Sequence, residues 1–93
     1  MTFEWDARKA AANLKKHGVA FADAATVFLD PLATTFPDPD HSLDECREIT
    51  IGHTMKGALV FVAHCERVGR IRIVSARRAT RAECEHYEEG TDG

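Results

Sequence analysis

Long apolar runs are missing from this 93-residue chain: the longest, Ala58 to Ala63, covers six residues, where roughly 20 are needed for a helix to cross a bilayer. A membrane-spanning helix is excluded. Cysteine is scarce, and Cys46, Cys65 and Cys84 are odd in number and widely spaced, which argues against a disulfide framework and fits reduced thiols filling a core. The five histidines include no H-x3-H pair and the cysteines no C-x-x-C pair, while His64 and Cys65 are strand neighbours pointing to opposite faces, so no metal site is expected. There is no G-x-S-x-G turn, no phosphate-cradling glycine loop and no dinucleotide fingerprint, and the familiar enzyme classes drop out with them. The opening Met1-Thr2-Phe3-Glu4-Trp5-Asp6 carries acids where a signal peptide needs a basic and then an apolar stretch, so the expected address is the cytoplasm.

What is present is an ordinary globular composition, 44% hydrophobic and 29% charged, in a length that supports one domain. That domain is expected over residues 1–90, with 91–93 as a free tail. The net charge of −3 conceals an asymmetry. Five of the 15 acids fall in residues 83–93, which contain no Lys or Arg, so the remainder holds 12 basic residues against 10 acidic ones. Arg67, Arg70, Arg72, Arg77, Arg78 and Arg81 follow one another with no acid between them, a local potential of the kind that attracts phosphate.

Phe3-Glu4-Trp5 reads as a short strand, and Asp6 as the N-cap of a helix through about His17 with Gly18 just past its end. Ala7, Ala10, Ala11 and Leu14 mark one face of that helix, leaving Lys9, Asn13 and Lys16 to point toward solvent or a site. Phe21, Ala24, Ala25 and Phe28 mark a second helix, stopped at Asp30-Pro31. Leu32 to Phe36 reads as a strand and Pro37 to Ser42 as a loop. From Arg47 the period changes to two, and three strands joined by turns at Met55–Gly57 and Arg67–Arg70 form an expected antiparallel meander. Thr80 and Glu83 form a capping box that starts a last helix, expected to run to about Glu89 and stop at Gly90. The fold class is α+β, in the order β-α-α-β-β-β-β-α.

Around one sheet this order gathers Lys16 and His17 at a helix end, Arg47 opening one strand, Arg72 and Arg77 on another, and Tyr87 on the last helix. These types match the cleavage of RNA by its own 2′-hydroxyl, which needs one proton removed, one delivered, and the extra negative charge at phosphorus stabilised. Arginine's planar fork holds two phosphate oxygens at once. No cofactor is required.

The words of the sequence also resemble a known family. Phe3-Glu4-Trp5-Asp6, Lys9, Asn13, Lys16-His17-Gly18-Val19, Phe21, Ala24, Phe28 and Asp30-Pro31 resemble the opening signature of the BrnT toxins. The likeness continues through His41-Ser42, Glu45, Arg47, Gly52, Ile71 to Arg77, Glu83 and Tyr87. It implies a type II toxin with a RelE-like ribonuclease fold, a small twisted antiparallel sheet with two N-terminal helices and one C-terminal helix. It also implies a BrnA-type antitoxin with a ribbon-helix-helix DNA-binding part. Two positions depart from the family. Ala20 replaces the usual Ser cap of the second helix, a loss of typically about 1 kcal/mol, so that helix start is expected to fray or find another partner. Glu45-Cys46-Arg47 replaces the usual Glu-Glu-Arg and keeps the charged positions on its ends.

The expected roles follow. Arg72 and Arg77 bind the scissile phosphate, Arg47 stabilises developing charge, and His17 or Glu45 moves protons. Lys16, Arg67, Arg78 and Tyr87 support RNA binding. Phe3 and Trp5 are candidate anchors for the antitoxin, in an expected complex of two toxins with two antitoxins that touches operator DNA mainly through the antitoxin. The alternative is a catalytically inactive module of this fold, serving only as partner and co-repressor of its antitoxin.

Overall fold

The computed structural model describes residues 1–39 and 47–92. Strand β1 (Thr2–Glu4) leads into helix α1 (Ala7–His17), then α2 (Phe21–Ala25), which tightens into a 3-10 turn over Thr26–Leu29. Strands β2 (Thr34–Pro37), β3 (Glu48–His53), β4 (Leu59–Arg67) and β5 (Arg70–Arg78) follow, and helix α3 (Arg81–Asp92) closes the chain. The element order is the expected one. Among the described residues no helix is long and apolar enough to cross a membrane.

Local chemistry explains the boundaries. The Asp6 carboxylate accepts from the backbone N–H groups of Arg8 at 2.8 Å and Lys9 at 3.1 Å, and these two bonds hold its pKa below the ordinary value. At the far end of α1, Gly18 takes a left-handed φ of 70° and donates to the Leu14 carbonyl, a geometry that a Cβ would strain. Ala20 gives α2 no side-chain cap. That helix is held instead by burial of Phe21 and Ala24, so packing replaces the missing acceptor. Helix α3 opens on the capping box, with Thr80 N–H donating to Glu83 and Glu83 N–H to Thr80. It runs on to Asp92, past the expected stop at Gly90.

The sheet order is β1-β5-β4-β3-β2. The meander β2 to β5 is antiparallel, but β1 pairs parallel with β5, Phe3 opposite Ile71. The sheet is therefore mixed, not wholly antiparallel. Helices α1 and α2 carry the chain from β1 to β2 at the opposite edge, and β5 comes alongside β1 only after the rest of the meander is complete. Strand β2 begins at Thr34, two residues later than expected, because Asp30 organises the preceding turn by accepting from the N–H groups of Leu32 and His53. Both helices lie on one face of the sheet, over a core built from Phe21, Ala24, Val27, Val62, Ile73 and Ala76. Gly52 permits close approach there: a Cβ would stand 2.9 Å from Val27 and 3.0 Å from Ala33.

Candidate active site

The face of the sheet away from α1 and α2 carries the candidate chemistry. Cross-strand rows Ile51–Phe61–Arg77 and Ile49–Ala63–Ser75 alternate with buried Thr50, Val62 and Ala76 on the helix side. Strict alternation along β5 would put Arg72 and Arg77, five residues apart, on opposite faces. A bulge prevents this. Ser75 pairs with Ala63 and Ile73 with His64, so Val74 is an extra residue that shifts the phase. Arg72 and Arg77 thereby come to the same face, the re-aiming that bulges near functional sites provide.

A cavity of 310 Å³ on this face is lined by His17, Asp38, Arg47, Ser75 and Arg77 over a floor that includes Ile49, Phe61 and Ala63. His17 reaches it from the last turn of α1, where the helix dipole favours cations. Asp38 is only 7% exposed, and its N–H donates to the Arg47 carbonyl at 2.9 Å. The Arg77 guanidinium stacks 4.3 Å from the Phe61 ring centre. It also binds Glu83 with two bonds, at 2.8 and 3.0 Å, which lower the Glu83 pKa to about 2 and raise that of Arg77. Glu83 uses two of the five N–H donors of the guanidinium, so the pair orients Arg77 without exhausting it.

Asn13 holds the cavity's two walls together. It is 7% exposed, and its amide donates to the Ala76 and Val19 carbonyls at 2.8 and 3.0 Å while its oxygen accepts from the Ala76 N–H at 3.1 Å. Beyond Arg72 the β5 edge has left β1 behind, and the Asn13 amide supplies what a neighbouring strand residue would. The sequence reading of α1 changes accordingly: Asn13 faces inward, whereas Leu14 of the apolar set is 51% exposed. Asn13, Asp38 and Ser75 are the cavity-forming residues that sequence reasoning did not assign. A signal for Asn13 existed in the spacing Lys9–Asn13–His17, which places all three on one helix stripe; Ser75 depends on the bulge and has none.

The other expected residues are distributed around this centre. Arg72 lies at a neighbouring cavity and pairs with Glu4 at 3.0 Å. Arg67 borders that second cavity, and Lys16 and Arg78 are exposed. Tyr87 stands apart: its hydroxyl donates to the Leu32 carbonyl at 2.8 Å and its ring packs on His53, tying α3 to the Asp30 turn. Burial, reinforced by the Asp30 charge, raises its pKa. Phe3 packs on Phe28 at the core margin. Trp5 is 38% exposed beside a shallow apolar groove formed with Ala11, Leu14, Phe21 and Ala22. Glu45, and His41, Ser42 and Cys46 with it, lie outside the described residues. Cys65 and Cys84 are free thiols. Among the described residues no group of three His, Cys, Asp or Glu side chains is arranged to hold a metal ion.

Comparison with known proteins gives these features a setting. Residues 5–83 match the family described as the ribonuclease toxin, BrnT, of type II toxin-antitoxin systems. The fold is similar to the crystal structure of the Brucella abortus ribonuclease toxin, BrnT, with a TM-score of 0.69 and 25% identity over 87% of this chain and 99% of that one. No curated protein sequence matches.

Proposed function

This chain belongs to the BrnT family of ribonuclease toxins of type II toxin-antitoxin systems, and we propose that its open-face cavity cuts RNA with the substrate's own 2′-hydroxyl as nucleophile. The observation that carries this reading is the meeting of His17, Arg47 and Arg77 around one cavity. An imidazole can take the proton from the 2′-hydroxyl or deliver one to the leaving 5′-oxygen. As the new O–P bond forms, charge builds on the non-bridging oxygens, and Arg47 and Arg77 stand where that charge is to be stabilised. The 5′-oxygen then departs with a proton, leaving a 2′,3′-cyclic phosphate and a 5′-hydroxyl. Asp38, buried against the same cavity, orients its neighbours or serves as the second proton carrier, the role first given to Glu45. Arg72 binds phosphate at the adjoining cavity, and the exposed Lys16 and Arg78 add general attraction for the RNA backbone. None of these steps requires a metal.

Cleavage of this kind arrests translation by destroying its RNA. The family implies an antitoxin partner. We assign that partner the BrnA type, paired through its ribbon-helix-helix part into a complex of two toxins and two antitoxins that holds operator DNA through the antitoxin. The exposed Trp5 groove is its apolar anchor point, with Phe3 contributing from the core side.

The test is cleavage of a defined RNA by purified chain in excess chelator, with a matched substrate bearing a single 2′-deoxynucleotide at the cut site. Expected are cyclic-phosphate ends from the first and no product from the second. Activity that needs an added divalent ion, or that cuts the deoxy substrate, overturns the mechanism.

A further inference from the structure

Beside the candidate active cavity, on the same face, lies a second cavity of 430 Å³ lined by Lys9, Arg47, Arg67 and Arg72 around Glu66, with Cys65 in its floor. Among the described residues, four cations face one acid there. Arg72 is also held by Glu4 at 3.0 Å, and Asp6 lies near enough for Arg72 and Lys9 to help lower its pKa. Lys9 and Arg67 make no ion pair with any described residue. Their charge is available to a ligand.

Two framework features join this cavity to the first. Arg47 lines both. Helix α1 runs along the β5 edge with Lys9, Asn13 and His17 at intervals of four on one stripe, so Lys9 serves the second cavity, Asn13 grips Ala76 between them, and His17 serves the first. On the sheet, the Phe61–Arg77 and Cys65–Arg72 rows are four β4 residues apart, about 13 Å along the strand. That is the reach of one to two nucleotides of extended single-stranded RNA. The geometry points to a subsite in the second cavity for a backbone phosphate one or two nucleotides from the bond that is cut. This rests on the ribonuclease reading above and adds to it a requirement on substrate length.

The experiment uses full-length chain and a series of single-stranded oligoribonucleotides, from a dinucleotide with only the scissile phosphate to a hexanucleotide. In the wild type, kcat/KM rises roughly tenfold once the flanking phosphate is present, the scale of one charge-assisted phosphate contact. In Lys9→Ala and Arg67→Ala, both exposed substitutions, the ratio of long to short substrate falls toward one. His17→Ala lowers both rates and keeps the ratio. Binding of uncleavable 2′-deoxy versions is followed in parallel, where each substitution also lowers the slope of log affinity against log salt by about 0.7. A wild-type ratio of one with cleavage intact overturns the subsite and leaves the ribonuclease reading standing. A length gain in binding, lost in Lys9→Ala, with no cleavage of any substrate supports the subsite and overturns the ribonuclease reading. Loss of an acidic peptide's binding in both variants, without any effect of RNA length, reassigns the cavity to protein and overturns the proposal.

Discussion

The two faces of the same sheet have been put to opposite uses. On the helix side, alternate residues of β3 to β5 are Thr50, Val60, Val62, Ile73 and Ala76, all buried. Its buried histidine sits among uncharged partners: His64 bonds Thr50 at 2.7 Å, Thr50 bonds Thr35 at 2.7 Å, and Phe28 packs edge-on against the imidazole. Burial lowers the pKa of His64. On the open side Ser75 and Arg77 of β5 stand with His17 and with Arg47, just ahead of β3, around a cavity whose floor includes Ile49, Phe61 and Ala63. Strand β5 thus buries one residue and presents the next to the cavity, and which residues do so depends on the phase shift at Val74.

Substitutions can break or sharpen this contrast. The largest effect is expected on the closed face, where Phe21→Ala removes a fully buried ring and should lower stability by about 3–5 kcal/mol, read as a urea midpoint. On the open face, Arg47→Ala should lower cleavage by a factor of about 100 to 1000 while the melting temperature moves little. If it unfolds the chain instead, the open face is structural and the contrast fails. Asn13→Ala joins the two faces, because it strips Ala76 of partners and frees α1 from β5. It should lower stability by about 1–3 kcal/mol and reduce cleavage further than that loss explains, seen at temperatures where the variant is fully folded.

Protonation gives a smaller handle. The folded pKa of His64 is depressed below 6.5, so the unfolded chain takes the proton first, and stability is full above pH 6.5 and declines as pH falls below it. His64→Gln should flatten that decline in melting curves between pH 7 and 5. Glu83 contributes on a lower range: its stabilisation is present above pH 4.5 and lost as pH falls toward about 2. The smallest change is a gain. Val68, at φ 51° in the two-residue turn between β4 and β5, adopts a left-handed conformation that β-branched residues resist, so Val68→Asn should stabilise the chain by about 1 kcal/mol.

Features decided within one turn of chain are legible in the sequence. Asp6, Gly18 and the Thr80–Glu83 box mark helix ends because each acts on backbone groups two to four residues away, and Gly57 and Gly69 mark turns by their positive φ. The arginines and His17 are legible as types. Their arrangement is not. Asn13 meets Ala76 across 63 residues, the bulge exists only in the pairing of β5 with β4, and β1 finds its parallel partner only when β5, the last strand, is in place. Glu83 is legible as a cap, but its second role as the holder of Arg77 appears only when α3 is placed against β5.

The claim that RNA is handled on the open face can be tested without cleavage, by following backbone amide resonances while an uncleavable 2′-deoxy oligonucleotide is added. The account predicts shifts at Arg47, Ala63, Ser75 and Arg77, with His17 and Lys9 joining from α1, and quiet signals at Phe21, Ala24 and Val27. Shifts centred instead on the outer surface of α1 and α2 around Trp5 and Leu14, with the open face silent, would contradict it.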